Sequence, residues 1–242
     1  MCVNYIPPKP AEIVPAIRAV MRADQHWPDE IWQDYAAPII RTRSDIPAPH
    51  AAGALNGIAS QPAAEVALAS YGIVPKRHIP PGITLFSTMN ARAETITEKR
   101  SFSTAWRNGQ TCLIPMKCFF EPNYESGRSE RWSIAMADDA TFCVAGLWRE
   151  WEEPDGGTAL AFTQITINAD RHPLMRRFFK PGEEKRSLVI VPPAQYDAWL
   201  ACRNPGTARS MLTLYPAEQM RTWAAPRAIN GLRQAGVSGS LF

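Results

Sequence analysis

Short apolar or alternating runs, separated by clusters of turn-forming residues, dominate this chain from about residue 65 onward. Runs of this kind predict β-strands, because a period of two places every second side chain on the same face of a strand. Clusters such as Pro-Asp-Gly-Gly at 154–157 favour tight turns between several of them. The runs are EVALASYGIV, TCLIP, KCFFE, RWSIAMA, TFCVAGLW, ALAFTQITIN, RSLVIV and, at 210–216, SMLTLYP.

Three segments predict helices instead. Residues 11–23 carry apolar side chains at helical spacing. Ser101 is a candidate N-cap for a second helix that ends near Gly109, and residues 193–202 predict a third. A proline-spotted stretch from 44 to 62 predicts a surface loop.

These elements predict an α+β fold in a single domain over residues 1–242. We expect a β-rich core, either barrel-like or a sandwich, made of mostly antiparallel strands and decorated by a few helices. A chain of 242 residues is long enough to bury most of the surface that its unfolded form exposes. Its hydrophobic content of 45% and charged content of 20% are typical of a soluble globular protein.

Composition argues against several functional classes. No apolar run approaches the roughly 20 residues that span a bilayer, and the N-terminus lacks the pattern of a signal peptide, so we expect a cytoplasmic protein with no membrane partner. Five cysteines form no CxxC pair, which argues against a disulfide framework or a zinc ribbon. We therefore expect no metal and no cofactor. A net charge of +3 permits a nucleic-acid partner without arguing for one.

The second residue, Cys2, stands directly behind Met1. Loss of Met1 would expose an α-amine and a thiol on adjacent carbons. An α-amine has a pKa of about 8 against about 10.4 for lysine, so its uncharged fraction at neutral pH is about a few hundred times larger. Such an amine can attack an aldehyde to form an imine, and the thiol can close onto the imine carbon to give a thiazolidine. The alternative is a residue of a frayed terminus with no chemical role.

Three stretches carry a more specific signal: MCVNY at the start, STMNARAET at 87–95 and CLIPMKCFFEP at 112–122. Their order and spacing resemble the SOS response-associated peptidase (SRAP) family, the abasic-site processing proteins of bacteria and eukaryotes. The resemblance extends over nearly the whole chain, through YGIVP at 71–75 and AGLWREW at 145–151 to HPLM and KP within 172–181.

The resemblance implies a substrate and a reaction. The substrate is single-stranded DNA with an abasic site, whose ring-opened sugar is an aldehyde, and the product is a covalent cap on Cys2. Met1 would be removed by the chain itself, which is the family's peptidase activity, or by an aminopeptidase. A lyase activity at the abasic site, a role in the response to DNA damage and a monomeric state are further expectations.

Two residues are candidates to assist Cys2. Asn90 can donate and accept hydrogen bonds through its amide, which would fix the nucleophile or the opened sugar; the alternative is a cap or turn residue. Glu121 ends the apolar run KCFFE, where a carboxylate is costly unless it is paired or functional. With a raised pKa it could move protons during imine formation. The alternative is a structural ion pair.

Basic residues suggest where the DNA strand would run. Arg92 is suited to a phosphate because its guanidinium donates in a fork; the alternative is a surface ion pair with Glu94 or Glu98. Lys76 and Arg77 follow YGIVP, where many members of the family carry tryptophans, and favour phosphate contacts over base stacking. The plainer interpretation of such cations is solvated surface charge.

The chain also departs from the family pattern. Asn4 stands where the family usually has an arginine, so one phosphate contact is expected to be missing. Phe179 precedes the Lys-Pro pair where the family's catalytic histidine belongs, and a phenyl ring carries no proton. His172 could substitute if its loop folds back; the alternative is a helix-start or packing residue.

Two functions from other classes stay open. One is a self-processing cysteine peptidase or amidohydrolase that acts on proteins. It would need an oxyanion hole, which the sequence does not reveal. The other is a diverged, non-catalytic module that binds single-stranded DNA, for which Asn4 and Phe179 are the best arguments.

Overall fold

The computed structural model of this chain describes residues 2–16, 19–42, 64–84 and 86–227. Strands form most of the regular structure in these ranges. In chain order they are β1 Tyr5–Ile6, β2 Ala19–Val20, β3 Ala36–Thr42, β4 Ala64–Tyr71, β5 Asn90–Arg92, β6 Thr111–Met116, β7 Cys118–Asn123, β8 Glu130–Met136, β9 Phe142–Glu152, β10 Thr158–Asn168, β11 Arg186–Leu188, β12 Ile190–Val191 and β13 Met220–Ala224. The helices are α1 Pro10–Ala16, α2 Arg100–Arg107, α3 Tyr196–Ala201 and α4 Pro205–Ser210, with short 3₁₀ turns at Lys76–His78, Met175–Arg177, Pro193–Gln195 and Ala217–Gln219.

Five strands close into a barrel. Strand β3 pairs with β4, β4 with β10, β10 with β9, β9 with β6, and β6 returns to β3. Four of these pairings are antiparallel, and only that of β4 with β10 is parallel. The predicted α+β, β-rich fold is therefore confirmed, and its core is the barrel rather than the sandwich.

A second sheet carries the N-terminus. Its strand order is β1-β7-β8-β13, and every pairing in it is antiparallel. Strand β5 lies outside the barrel path and pairs in parallel with β10. As a result, the start of the chain, the Asn90 strand and the strand that contains Glu121 are brought to one side of the molecule.

Two apolar clusters cover the two faces of the barrel wall. On β6, Leu113 belongs to the cluster that includes α2 and α3, whereas Cys112 and Ile114 belong to the cluster that includes Cys2 and Tyr5. This alternation follows from the period of two in a strand that is buried on both faces. The second cluster therefore packs the N-terminus directly against the barrel.

Most of the predicted strands are confirmed, but the first helix is shorter than expected. Helix α1 ends at Ala16, residues 17 and 18 lie outside the described ranges, and Ala19–Val20 form β2, which pairs with β4. The prediction of a helix over 11–23 is therefore wrong at its C-terminal end. Apolar spacing alone cannot distinguish such a segment from one that joins a sheet edge.

Three further predictions need correction. The expected strand at 210–216 is absent from the described structure: Ser210 ends α4, and residues 211–216 form no strand. Helix α4 begins at Pro205, where Asn204 accepts hydrogen bonds from the first-turn amides at 2.8 and 3.1 Å. The N-cap of α2 is Lys99 rather than Ser101. The run RSLVIV divides into β11 and β12, since Val189 bonds to both β10 and β9. The predicted loop at 44–62 lies outside the described residues.

Candidate functional site

Cys2 is fully buried, and the two residues that follow it, Val3 and Asn4, line a cleft. Strand β1 holds it there, because Tyr5 pairs with Phe119 of β7 and the Phe120 amide donates to the Asn4 carbonyl at 3.4 Å. The Cys2 thiol donates to the same carbonyl, with 3.3 Å between Sγ and the oxygen. The position of the thiol is therefore set by pairing between the N-terminus and β7.

The Cys2 carbonyl accepts two further hydrogen bonds. The Asn90 Nδ2 atom donates to it at 2.8 Å and the Tyr71 hydroxyl at 3.1 Å. Asn90 begins β5, which is fixed by its parallel pairing with Gln164 of β10. The Oδ1 atom of Asn90 is buried and accepts no hydrogen bond from the residues that the structure describes. Asn90 therefore holds the backbone of Cys2 and keeps one acceptor available beside it.

Glu121 is 4% exposed and lies on β7, opposite Trp132 of β8. Burial raises its pKa to about 7, and the positive charge of the amino terminus acts in the opposite direction. Burial also raises the pKa of the Cys2 thiol strongly, and the charge of Glu121 adds to that effect. Glu121 and Cys2 thus interact electrostatically, and the carboxyl group is poised to gain or lose a proton near neutral pH.

The cleft beside these groups has a volume of about 480 Å³. It is lined by Val3, Asn4, Phe120, Glu121, Pro122, Ser129, Arg131 and Arg227. The two arginines were not predicted as site residues. For Arg131 a signal existed, because the runs KCFFE and RWSIAMA are successive predicted strands, and pairing them as a hairpin places Arg131 opposite Pro122, as observed. For Arg227 the sequence offers no comparable signal.

Phe179, which stands where the resemblance implies a histidine, lies next to β7, the strand that contains Glu121. Its amide donates to the Pro122 carbonyl at 2.8 Å, and its ring is buried in the apolar cluster that contains Cys2. Its φ angle is +66°, a left-handed conformation that is unusual for a bulky residue. Phe179 therefore lies in the same apolar cluster as Cys2, with a side chain that cannot titrate.

His172 is engaged elsewhere. Its Nε2 atom lies 2.7 Å from the Tyr215 carbonyl, and its Nδ1 atom accepts the amides of Leu174 and Met175 at 3.2 and 3.0 Å. The ring therefore starts the 3₁₀ turn at Met175–Arg177, which is the structural role left open for it. In the described part of the chain, its hydrogen bonds do not reach Cys2, Asn90 or Glu121.

The predicted DNA-contacting cations each have an acidic partner. Arg92 pairs with Glu184 at 2.7 Å, rather than with Glu94 or Glu98. Lys76 lies 3.4 Å from Asp34, and Arg77 lies 2.6 Å from Glu153. The structure brings Cys2, Asn90 and Glu121 together, but it places these three cations in surface ion pairs.

Two features are absent from the residues that the structure describes. Within residues 2–16, 19–42, 64–84 and 86–227, no group of three or more His, Cys, Asp or Glu side chains could hold a metal ion. In the same ranges, no helix is long and apolar enough to cross a membrane.

Comparison with known proteins gives a family match over most of the chain. The family model described as SOS response associated peptidase (SRAP) matches residues 1–232. Abasic site processing protein YoaM of Bacillus subtilis is 27% identical over 148 residues, which are 60% of this chain and 62% of that protein. Abasic site processing protein HMCES of Pongo abelii is 25% identical over 197 residues, which are 67% of this chain and 52% of that protein. The matched regions thus span less than two thirds of these relatives.

Solved structures share the fold. A crystal structure of a protein from Bordetella bronchiseptica matches with a TM-score of 0.77 and 29% identity, and the match covers 93% of this chain and 100% of that one. A protein from Bacteroides thetaiotaomicron matches with a TM-score of 0.65 and 20% identity, over 92% and 91% of the two chains, and supports the fold alone.

Proposed function

Since this chain belongs to the SOS response associated peptidase (SRAP) family, we propose that it caps abasic sites in single-stranded DNA covalently through Cys2. The relatives named above are abasic site processing proteins. Such a cap would be part of the response to DNA damage, and we propose that a single copy of the chain forms it. The observation that carries the proposal is that Cys2 interacts with two residues far from it in sequence: its carbonyl accepts the Asn90 amide at 2.8 Å, and its thiol feels the charge of Glu121, which lines the neighbouring cleft.

The proposed reaction starts once Met1 has been removed, by the chain itself or by an aminopeptidase. The Cys2 amine bonds to the aldehyde carbon of the ring-opened sugar, and the resulting carbinolamine loses one water to leave an imine. The thiol sulfur then bonds to the imine carbon while its proton passes to the imine nitrogen. The net products are a thiazolidine and one water, and no oxidant or cofactor is consumed.

Glu121 would move the protons of this sequence. A carboxyl group with a pKa of about 7 can both donate and accept at neutral pH. It would protonate the departing hydroxyl of the carbinolamine, and the resulting carboxylate would take the proton of the thiol. The thiol needs such a base, because burial keeps its pKa high and the sulfur protonated.

Asn90 would position the amine. Its Nδ2 atom already holds the Cys2 carbonyl, and its buried Oδ1 atom has no partner among the described residues. This oxygen could accept an N–H of the freed amine and so direct the nitrogen lone pair toward the cleft. Because Arg92 follows on the same strand and is half-exposed, it could exchange Glu184 for a phosphate of the bound DNA.

Phe179 would affect the lifetime of the product. Reopening the thiazolidine requires protonation of the ring, and an imidazole at this position could supply the proton, whereas a phenyl ring cannot. We therefore propose that this chain forms the adduct but releases it slowly.

The test begins with the intact mass of the purified chain, which must show loss of Met1. The mature protein is then mixed with an oligonucleotide that contains one abasic site and analysed on a denaturing gel. We expect a stable adduct with the wild type and with Cys202→Ala, a matched control, and no adduct with Cys2→Ala. Strand scission on the same gel would reveal lyase activity.

Other outcomes would overturn the proposal. Salt-sensitive binding to intact single strands without an adduct would indicate a non-catalytic binding module. Cleavage of a peptide substrate without a DNA adduct would indicate a cysteine peptidase.

A further inference from the structure

We propose that Arg131 and Arg227 bind a phosphate group of the substrate in the cleft beside Glu121. This inference rests on the proposed function, because it specifies which aldehydes Cys2 accepts: those that carry a phosphate near the reacting carbon. Arg131 lies on β8, Arg227 lies in the segment after β13, and both line one cleft with Glu121. An anion in the cleft would therefore meet two guanidinium groups close to the nucleophile.

Arg131 is held rigidly by contacts on three sides. Its Nη2 atom lies 2.6 Å from Glu30 Oε1, its Nη1 atom donates to the Ala225 carbonyl at 3.2 Å, and its guanidinium carbon lies 3.3 Å from the centre of the Phe120 ring. Its side chain is 21% exposed. A guanidinium has more N–H donors than these two acceptors use, and its planar fork suits a phosphate.

Asn4 completes the support of Arg131. Its Nδ2 atom donates to Glu30 Oε1, the same oxygen that Arg131 contacts, and its carbonyl accepts the thiol of Cys2. Asn4 therefore supplies no positive charge itself. It orients the Glu30 carboxylate, which in turn fixes the Arg131 guanidinium. One hydrogen-bonded network thus joins the thiol to Arg131.

Arg227 reaches the cleft because the segment after β13 is tied to Arg131. The Ala225 amide donates to the Arg131 carbonyl at 2.9 Å, which extends the pairing of β8 and β13 by one step. The Arg227 guanidinium lies 4.3 Å from the centre of the Trp32 ring. Among the described residues, no carboxylate forms an ion pair with Arg227, unlike Arg77 and Arg92, so its charge is available to a ligand.

The ligand class follows from this chemistry. Two planar cations supported by aromatic rings are typical of sites for phosphate, which accepts paired hydrogen bonds. A carboxylate is a poorer candidate, since it offers two acceptor oxygens, whereas a phosphate group has enough oxygens to bind both guanidinium groups at once. The source can be the DNA backbone or a free sugar phosphate, and the two are separated by experiment.

The first experiment uses two small aldehydes, 2-deoxyribose and 2-deoxyribose 5-phosphate, with the mature protein. The rate of mass gain is measured against aldehyde concentration for the wild type, Arg131→Gln, Arg227→Gln and the exposed control Arg22→Gln. We expect each cleft variant to raise the half-saturating concentration of the phosphorylated sugar about tenfold, as removal of a charge-assisted hydrogen bond predicts. The half-saturating concentration of the unphosphorylated sugar should not change. The two sugars differ in the fraction that is present as free aldehyde. This fraction is the same for every protein variant, so it does not affect the comparison among variants.

The outcomes separate this inference from the proposed function. If both sugars react and all variants discriminate between them as the wild type does, the phosphate site is wrong but the capping chemistry stands. If neither sugar nor abasic DNA reacts, the proposed function fails, and binding of 2-deoxyribose 5-phosphate to Cys2→Ala by calorimetry, with and without Arg227→Gln, still tests the site. Thermal unfolding checks that Arg131→Gln is folded. Arg227 is exposed, so Arg227→Gln should fold normally and tests the site even if Arg131→Gln does not fold.

A second experiment identifies the source of the phosphate. Abasic oligonucleotides with one neutral methylphosphonate on the 5′ or the 3′ side of the lesion are compared with the unmodified strand. If the backbone supplies the phosphate, one of the two neutral linkages lowers the adduct rate about tenfold in the wild type, and Arg227→Gln causes no further loss on that substrate. If neither linkage matters while the sugar phosphate is still preferred, the DNA backbone is excluded as the source.

Discussion

The cleft at Cys2 and the basic turn at Lys76–His78 use charged groups in opposite ways. In the cleft, burial dominates: the pKa of Glu121 rises to about 7 and that of the Cys2 thiol rises further. On the turn, pairing dominates: Glu153 contacts Arg77 and His78, and these hydrogen bonds lower its pKa to about 2. One carboxyl group can exchange a proton at neutral pH, and the other stays ionised.

A basic residue in the sequence therefore does not by itself provide a positive charge that a ligand can reach. Lys76 and Arg77 are conspicuous in the sequence, yet each has an acidic partner within 3.4 Å. Arg227 is inconspicuous, yet no carboxylate within the described ranges pairs with it. At the cleft a DNA strand would meet the charge of Arg227, beside Arg131 with its partner Glu30, whereas at the turn it would have to displace a carboxylate from each cation.

The largest expected effect comes from removing the ionisable group of the cleft. We expect Glu121→Gln to lower the maximal rate of adduct formation at saturating abasic oligonucleotide by about a hundredfold or more, as for the loss of a general acid–base group. Glu153→Gln is the matched control and should leave that maximal rate within about twofold, because its carboxylate stays ionised and is not at the cleft. Equal losses in the two variants would contradict the contrast between the regions.

The second prediction concerns stability against pH. The pKa of Glu121 in the folded chain, about 7, lies above its value of 4.5 when exposed. The folded state therefore holds the proton more tightly, and its stability decreases as pH rises from about 4.5 to about 7. Relative to Glu121→Gln, the wild type should lose about 3 kcal/mol of unfolding free energy over this window. Urea unfolding of both proteins at pH 4.5 and pH 8 measures the difference.

Glu153 should behave in the opposite sense. Its pKa is lowered in the folded state, so its contribution to stability is present above pH 4.5 and is lost as the pH falls toward 2. A wild type whose stability rises between pH 4.5 and 7, with no difference from Glu121→Gln in slope, would show that burial does not control the Glu121 carboxyl.

The sequence predicts the strands well because each depends on a local pattern. Runs such as TCLIP and KCFFE coincide with β6 and β7 to within two residues at each end. The helix at 11–23 fails because Val20 pairs with β4, a contact distant in sequence that no local window contains. The pairing of β3 with β6, which closes the barrel, likewise joins residues distant in sequence and cannot be predicted from a local pattern.

The site divides in the same way. Cys2, Asn90 and Glu121 lie within motifs that can be read from the sequence, and the structure buries Cys2 and Glu121 and joins Asn90 to the Cys2 carbonyl. Arg227 could not be found in this manner, because its place in the cleft depends on one backbone hydrogen bond between Ala225 and Arg131. The ion pairs of Arg77 and Arg92 were equally hidden, since their partners Glu153 and Glu184 are distant in sequence.

The third prediction places a titratable group at Phe179, in the apolar cluster that contains Cys2. We expect Phe179→His to shorten the half-life of the purified DNA adduct about tenfold at pH 7, because the imidazole can protonate the thiazolidine ring. Histidine also tolerates the left-handed backbone of this position better than phenylalanine. Phe179→Asn is the control, since it relieves the backbone without titrating near neutral pH. An equal shortening in both variants would attribute the effect to loosened packing.

The smallest expected effect tests the basic turn itself. Glu153→Gln removes the carboxylate that Arg77 and His78 share and so leaves the guanidinium free to contact a phosphate. We expect affinity for intact single-stranded DNA to rise about threefold at low salt, and the salt dependence of binding to steepen by about one phosphate contact. Fluorescence anisotropy with a labelled oligonucleotide at several salt concentrations measures both quantities.

The double variant Glu153→Gln, Arg77→Gln decides which cation is responsible. Because exposed ion pairs contribute little to stability, both variants should remain folded, and the gain in affinity should disappear when Arg77 is also removed. A gain that persists in the double variant would arise from the general change in net charge, and Arg77 would then have no part in binding DNA. An unchanged affinity in Glu153→Gln would mean that the strand does not pass over the turn, which would leave the cleft arginines as the principal contacts to the substrate.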